Sequence, residues 1–375
     1  MKKNGRITAY IHMDAIAANF EMIRSRVKEG TKVVAVIKAD GYGHGAVPIA
    51  QMVESYEYIW GYAVAAVSEG MKLRNAGIKK PILVLGYTFE EDYEEMIQND
   101  IRPTLFTVEA AQAFEAAAKK LQVKAPVHLA VDTGMSRIGV KDNEEGLQIA
   151  VQIAAMEDLW IEGAFTHFAR ADELDKSNAI GQMERFAAFC DAMNRKGVNG
   201  FYRHCSNSAG IMELSKAHMD MVRAGIIIYG IYPSDEMDRE NFPLKPAMEL
   251  KSHIVHIKTI DAGTPVSYGG TFVADKTMTV ATVPVGYADG YPRALSSIGS
   301  VLVNGKRAKI LGRVCMDQFM IDVTGMDVSM LDEVTLLGRD GEDEITIDEL
   351  GELSGRFPYE FVCDIGKRAP RVYVP

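Results

Sequence analysis

Cysteine is scarce. Cys190, Cys205, Cys315 and Cys363 are the only four in 375 residues, and no two form a C-x-x-C pair. This excludes a disulfide scaffold and a cysteine-based zinc site, and makes a reducing compartment the default. Histidine spacing offers no metal site either. There is no H-E-x-x-H, and His253 and His256, three apart on an expected strand, face opposite sides. No metal is therefore expected. Long apolar runs are missing too. The longest lies near Ala224 to Pro233, too short to span a bilayer. The start, Met1 to Arg6, lacks the apolar core of a signal peptide. Positive charge is in deficit, 41 Lys and Arg against 51 Asp and Glu, for a net −10. No basic patch stands out, so neither nucleic acid nor an anionic membrane is an expected partner.

What is present suits a soluble, folded chain. Hydrophobic residues make up 47% and charged residues 25%, enough apolar material for a sizeable core. The length predicts two or three domains. Up to about residue 235, short β-branched runs alternate with amphipathic stretches. The runs are Lys32–Lys38, Ile59–Ala65, Pro81–Gly86, Arg102–Phe106, Val127–Asp132, Ile161–Phe165, Phe201–Cys205 and Gly225–Ile231. Each of the first seven precedes a helical segment, such as Val108–Leu121. Strands separated by helices build right-handed βαβ units in a parallel sheet. Eight such units match a (β/α)₈ barrel, whose usual size is about 250 residues. A doubly wound sheet is the alternative, normally with fewer strands.

After Pro243 and Pro246 the texture changes. Short strands, Ser252–Ile260, Thr277–Val285 and Lys306–Arg313, are separated by turns such as Asn304-Gly305 and Asp340-Gly341. That spacing predicts a small, mostly antiparallel β domain, interrupted by a helix near Ile347–Leu353. Arg6–Ile11 is strand-like and has no place in an eight-stranded barrel, so it is expected to join the C-terminal sheet. The expected domains are 12–240, the barrel, and 241–375 with strand 6–11, the β domain.

In barrels, functional groups lie at the C-terminal ends of the strands. Lys38 closes the first run, and a buried amine there is a candidate Schiff-base lysine. The other runs lead into Asp132–Arg137, Thr166-His167, His204-Cys-Ser-Asn207-Ser208 and Arg223-Ala-Gly225-Ile226. Singly, each reads as a loop residue or a satisfied polar group. Together they gather an amine, two arginines, two histidines and an Asn-Ser pair on one face. That set suits an anionic, phosphorylated aldehyde cofactor. Ser208 and the N–H groups of Asn207, Gly225 and Ile226 are the expected phosphate donors. The β domain adds Tyr268 in SYGG, Tyr287 in GYADG and Met316 in GRVCMD.

The ordered motifs KADGYGHG, DTGMSRIG, THFARADE, HCSNSAG, MVRAGIIIYGIYP, SYGG, VPVGYADGYPR and GRVCMDQ resemble the alanine racemase family across essentially the whole chain. The resemblance implies a pyridoxal 5'-phosphate (PLP) enzyme that interconverts L- and D-alanine and supplies D-amino acids for peptidoglycan precursors. It implies that Lys38 carries the cofactor and acts on the D-enantiomer. Tyr268 would be the second base, acting on the L-enantiomer and reaching into the other subunit of a homodimer. Tyr42 and Ser208 would contact the phosphate, with backbone groups near Gly225 and Ile226. Arg223, backed by His204, would face the pyridine nitrogen. His167 would lie between Arg223 and the tyrosine, and both Arg223 and His167 are expected to favour its phenolate. Arg137 would hold the phenolic oxygen. Tyr287 and Met316 of the partner would line the substrate pocket.

Two positions depart from the family pattern. Ala130 stands where many members have a lysine that supports the DTGM-x-R arginine, so Arg137 needs another anion or solvent. Lys367 stands where the family usually has a tyrosine near the phosphate and substrate pocket. Losing that ring makes room for serine. In this the chain resembles the serine racemase branch linked with vancomycin resistance, in which a membrane domain precedes the racemase domain. The expected location is the cytoplasm, either alone or as the cytoplasmic domain of such a longer chain. The rival readings are a PLP-dependent amino-acid decarboxylase and a non-catalytic PLP-binding barrel. The first needs no Tyr268-type base, and the second is usually a barrel alone.

Overall fold

The computed structural model describes residues 5–375; Met1–Asn4, part of the polar start read above, lie outside them. Residues Ile16–Gly41 and Gly45–Lys245 form one compact unit. Its strands are Lys32–Val36, Ile59–Val64, Ile82–Val84, a split fourth strand, Ala125–Asp132, Leu159–Phe165, Tyr202–His204 and Met221–Ala224. Pro103 has no N–H to give and divides the fourth strand. Ile101–Arg102 pairs back to Ile82–Leu83, and Thr104–Leu105 pairs forward to His128–Leu129. All strand pairs of the ring are parallel. The eighth strand returns to the first, Met221 opposite Lys32. Asp220 N–H donates to Arg203 O at 3.2 Å and Arg223 N–H to Ser206 O at 3.0 Å, closing the barrel between its seventh and eighth strands.

Strands buried on both faces explain why these runs are continuously apolar rather than alternating; every residue of Ile59–Val64 is buried. Helices follow the first seven strands. Val108–Lys120 is capped by the Thr107 hydroxyl, which accepts from Ala110 N–H, and Glu144–Ala154 by Asn143, which accepts from Gly146 N–H.

The eighth strand corrects the expectation. It is Met221–Ala224, and Ile226–Tyr229, read as strand, is a wholly buried 3₁₀ turn. A short, entirely apolar run does not distinguish a buried strand from a buried helical turn.

The second unit comprises residues 5–15, Tyr42–His44 and Pro246–Pro375. It contains a ten-stranded sheet. Ile7–His12 alternates buried and outward-facing residues, pairs antiparallel with Met248–His253 and parallel with Arg371–Val374. The other ladders of this sheet are antiparallel. Asn304 (φ 51°) and Gly305 (φ 73°) turn Ser300–Val303 into Lys306–Leu311, the left-handed pair a two-residue hairpin needs. The expected strand Ser252–Ile260 is in fact two, Met248–His253 and His256–Ile260. Between them Ile254 N–H donates to Asp332 O and Val255 N–H to Thr282 O. His253 and His256 therefore lie on different strands, not on opposite sides of one. Ile347–Ser354 is helical, and Pro358–Asp364 adds a short helix the sequence pattern did not signal. Among the described residues no helix is long and apolar enough to cross a membrane.

Candidate active site

In the first unit, Lys38 is partly buried just beyond the first strand. Ala39, Asp40, Gly41 and Tyr42 all follow with φ between 50° and 62°. Consecutive left-handed residues are unfavourable by about 1–2 kcal/mol each for non-glycines, so local bonds must hold them. Gly41 N–H donates to Ile37 O at 2.8 Å, Gly45 N–H to Asp40 O at 2.7 Å, and Ala46 N–H to Asp40 Oδ1 at 3.1 Å. Glu69 fastens the turn from the second strand's helix, accepting from Ala39 N–H at 2.6 Å and from Ala65 N–H at 2.8 Å.

Arg223, only 3% exposed, has hydrogen bonds to carbonyl oxygens and imidazoles but, among the described residues, to no carboxylate. It donates to His204 O (2.8 Å), Thr166 O (2.7 Å), Cys205 O (3.3 Å), His204 Nδ1 (3.0 Å) and His167 Nδ1 (3.3 Å). Burial, and to a smaller extent Arg137, pushes it down to about 10, so it remains a cation at neutral pH. His167 is pushed down to about 3, first by burial and then by the charges of Arg223, Arg137 and Lys38. Those charges bring Lys38, Arg137, His167 and Arg223 into one electrostatic group. His204 lies well below its ordinary range through burial and the Arg223 charge. Both rings are neutral. Of the two groups expected to favour a phenolate, only Arg223 is charged, because burial keeps the proton off His167.

Ser208 is buried, and its Oγ accepts from Gly225 N–H at 3.1 Å. Asn207 caps the short helix Ser208–Glu213 by accepting from Gly210 N–H at 3.0 Å. Ile226 is buried at the start of the 3₁₀ turn. The strand-end turns thus bring Asn207, Ser208, Gly225 and Ile226 together. Ala130 is buried and Arg137 exposed. Among the described residues Arg137 forms no ion pair.

The remaining candidates belong to the second unit. Tyr42 is buried and edges against Tyr359, ring centres 6.1 Å apart; burial raises its hydroxyl well above the ordinary phenol. Gly43 (φ 80°) lies so close to Val362 O that a side chain would collide with it, and its carbonyl accepts from Arg371 Nε at 2.8 Å. Tyr268 follows Ser267, whose φ of 66° and ψ of −177° belong to a region otherwise left to glycine. Ser267 Oγ donates to Arg313 O at 2.6 Å and fixes that kink. Tyr268 is 70% exposed and shares a hollow of about 690 Å³ with Cys315, Met316 and Gln318. Tyr287 is tied to the Cys315 turn, its N–H donating to Cys315 O at 3.1 Å. Beneath these turns lies an ion cluster. Buried Asp289 meets Arg6 at 2.6 Å and Arg368 at 3.3 Å, and Arg368 also meets Asp317 at 2.8 Å. Lys367 is exposed on that loop, and Gly366 N–H donates to Asp289 O.

Sequence reading missed Glu69, and also His128 and Glu162, which are buried behind His204, His128 meeting His204 at 3.0 Å and Glu162 at 3.4 Å. For the last two a signal existed, a polar residue inside an otherwise apolar strand run, HLAV and IEGAF. Glu69 lies on an amphipathic helix and gave none.

These residues fit a phosphorylated pyridine aldehyde. The Lys38 amine, a buried guanidinium bonded to carbonyls and imidazoles, and a buried hydroxyl with backbone donors form the set such a molecule requires. The comparisons agree. The alanine racemase N-terminal domain matches residues 11–233 and the alanine racemase C-terminal domain residues 247–373. An alanine racemase of Desulforamulus reducens is 44% identical over 98% of this chain and 99% of its own. A solved alanine racemase of Clostridium difficile 630 superposes with a TM-score of 0.94 at 41% identity, over 98% of this chain and 95% of that one. Its complex with cycloserine gives 0.92 at 40% identity, over 99% and 96%. The chain belongs to the alanine racemase family, whose members are PLP-dependent.

Proposed function

We propose that this protein is an isomerase that interconverts L- and D-alanine, and L- and D-serine as well, with Lys38 and Tyr268 as the two bases. The observation that carries the reading is the electrostatic group of Lys38, His167 and Arg223 at one end of the barrel, in a chain that matches both family domains. The product would serve as a D-amino acid for cell-wall precursors. A decarboxylase has no use for Tyr268, and a non-catalytic barrel has none for the β domain. The four cysteines, with no disulfide among the described residues, suit a reducing cytoplasm.

Lys38 would hold the cofactor, with Tyr42, Ser208, Asn207, Gly225 and Ile226 toward its phosphate, Arg223 toward its ring nitrogen and Arg137 toward its phenolic oxygen. PLP supplies the electron sink that makes an α-carbanion accessible. Lys38 Nζ moves the α-proton on one face and Tyr268 Oη on the other, since inversion needs a donor opposite the acceptor. Arg223 keeps its proton and therefore opposes protonation of the ring nitrogen. His204 and Thr166 O hold it in place.

Tyr268, Met316 and Tyr287 are 70%, 52% and 44% exposed. Exposed large side chains, two of them sharing one hollow, favour a covering partner, and a second copy of this chain is the occupant we propose. Lys367 is exposed, so its ammonium stays hydrated. The volume left by the missing ring, more than the charge, is what admits serine, as in the serine racemase branch. Purified protein given PLP and L-alanine should accumulate D-alanine in a chiral separation until the two forms are equal. Carbon dioxide release, or no turnover with PLP bound, would move the reading to one of its rivals.

A further inference from the structure

A line of side chains crosses the barrel core. Arg102 Nε meets Glu162 Oε2 at 2.9 Å, and the same oxygen meets His128 Nε2 at 3.4 Å. His128 Nδ1 meets His204 Nε2 at 3.0 Å, and His204 Nδ1 meets Arg223 Nη1 at 3.0 Å. All five side chains are buried, His128 and His204 completely. They come from the fourth, sixth, fifth, seventh and eighth strands in that order along the line.

Proton counting gives the line a direction. A guanidinium only donates, so His204 Nδ1 is bare. A neutral imidazole then carries its hydrogen on Nε2 and donates to His128 Nδ1. His128 in turn carries its hydrogen on Nε2 and donates to Glu162, which also accepts from Arg102. A second proton on either ring would set donor against donor. By the same rule His167, whose Nδ1 accepts from Arg223 Nη2, carries its hydrogen on Nε2. At the far end Arg102 also pairs with Asp100 at 2.7 Å, which leaves part of the Glu162 charge for the line. Hydrogen bonds in such a chain polarise one another, so the carboxylate is felt at Arg223, which has none of its own.

We propose that Glu162 and His128 are positioning residues for the reaction: through His204 they fix the direction of the hydrogen bonds at Arg223 and hold its guanidinium protonated and aimed. The catalytic half of this proposal rests on the racemase reading; the proton arrangement does not. Charged or titratable groups facing Arg223 are His204, His167, Cys205 and Arg137; those facing His128 are Glu162, Arg102, Arg223 and His204.

The test begins with ¹⁵N NMR of the histidine-labelled full chain without PLP. His128 and His204 should keep a bare Nδ1 and a protonated Nε2 from pH 6 to 9. An Nδ1–H form or an imidazolium at either ring overturns the line whatever the enzyme does. Failure to bind PLP or to racemise would sink the racemase reading and leave this result standing. On the PLP-loaded enzyme, Glu162→Gln should lower kcat about tenfold, the size of one net hydrogen bond, with KM within about twofold. It should also move the alkaline limb of the kcat/KM profile to lower pH and shift the absorbance maximum of bound PLP. A variant less heat-stable but with an unchanged pH profile and absorbance means that Glu162 is structural only. Should Glu162→Gln not fold, the double replacement Arg102→Leu with Glu162→Leu removes both charges together, a change buried pairs often tolerate, and is read in the same way.

Discussion

The two units carry their functional groups in opposite ways. At the barrel's end, Arg223, His204 and Ser208 are buried and bonded within one chain. In the C-terminal unit, Tyr268 and Met316 lie open over a hollow and Tyr287 is exposed as well, with an ion cluster of Arg6, Asp289, Asp317 and Arg368 at the following residues. The first arrangement is a preorganised electrostatic site, the kind that acts most strongly where water is excluded. The second presents Tyr268, the proposed second base, after the strained Ser267 and exposes apolar surface around it. On the proposed reading, the difference teaches that one chain holds a finished cofactor half and an unfinished substrate half.

The sharpest break between the halves is chemical. Lys38→Ala should remove both covalent capture of PLP and racemisation, whereas Tyr268→Phe should keep PLP and lose about 10²–10⁴-fold in rate, the usual worth of a general acid or base. PLP absorbance and chiral turnover, measured on both variants, separate them. Stability should break the comparison next. Glu162→Ala leaves buried Arg102 with the exposed Asp100 as its remaining ion-pair partner and should cost about 3 kcal/mol by urea denaturation, the low end for breaking a buried pair. Arg368→Ala removes an exposed partner from a cluster that keeps Arg6, and should leave the urea midpoint in place.

Acid should unfold the barrel half first. His128 and His204 are held neutral when folded, and an unfolded histidine titrates near 6.5. Below that pH the unfolded state binds more protons, so stability is full above 6.5 and falls as pH drops. The slope should approach about 1.4 kcal/mol per pH unit for each such histidine. Urea midpoints at pH 7, 6 and 5 check this; a flat series would mean that the rings are protonated when folded. The smallest effect concerns Lys367. Lys367→Tyr should lower kcat/KM for L-serine by about one to two decades relative to L-alanine, since an unpaired buried hydroxyl costs about 1–3 kcal/mol. Equal effects on both substrates would remove this position from specificity.

Much of this was legible in the residues. Alternating runs and helices carried the barrel, and turn pairs such as Asn304-Gly305 carried the β domain, because period and turn chemistry are local. The strand-end residues of the candidate site were visible for the same reason. The 3₁₀ turn Ile226–Tyr229 was not, since burial on all sides erases the period that separates strand from helix. The left-handed turn after Lys38 was hidden because Ala39, Asp40 and Tyr42 have no local preference for it; bonds from Glu69 and Asp40 impose it. The Glu162–His128 line depends on which strands are neighbours around the ring, and no single segment encodes that.

The most direct test of the unfinished half mixes two inactive proteins, Lys38→Ala and Tyr268→Phe, with PLP and L-alanine, and verifies subunit exchange by mass tagging. If a second copy completes each site, half of the random pairs are hybrids with one intact site of two, and about a quarter of the wild-type rate per chain should return. No activity despite verified exchange would contradict the account, placing Lys38 and Tyr268 of one chain in the same site.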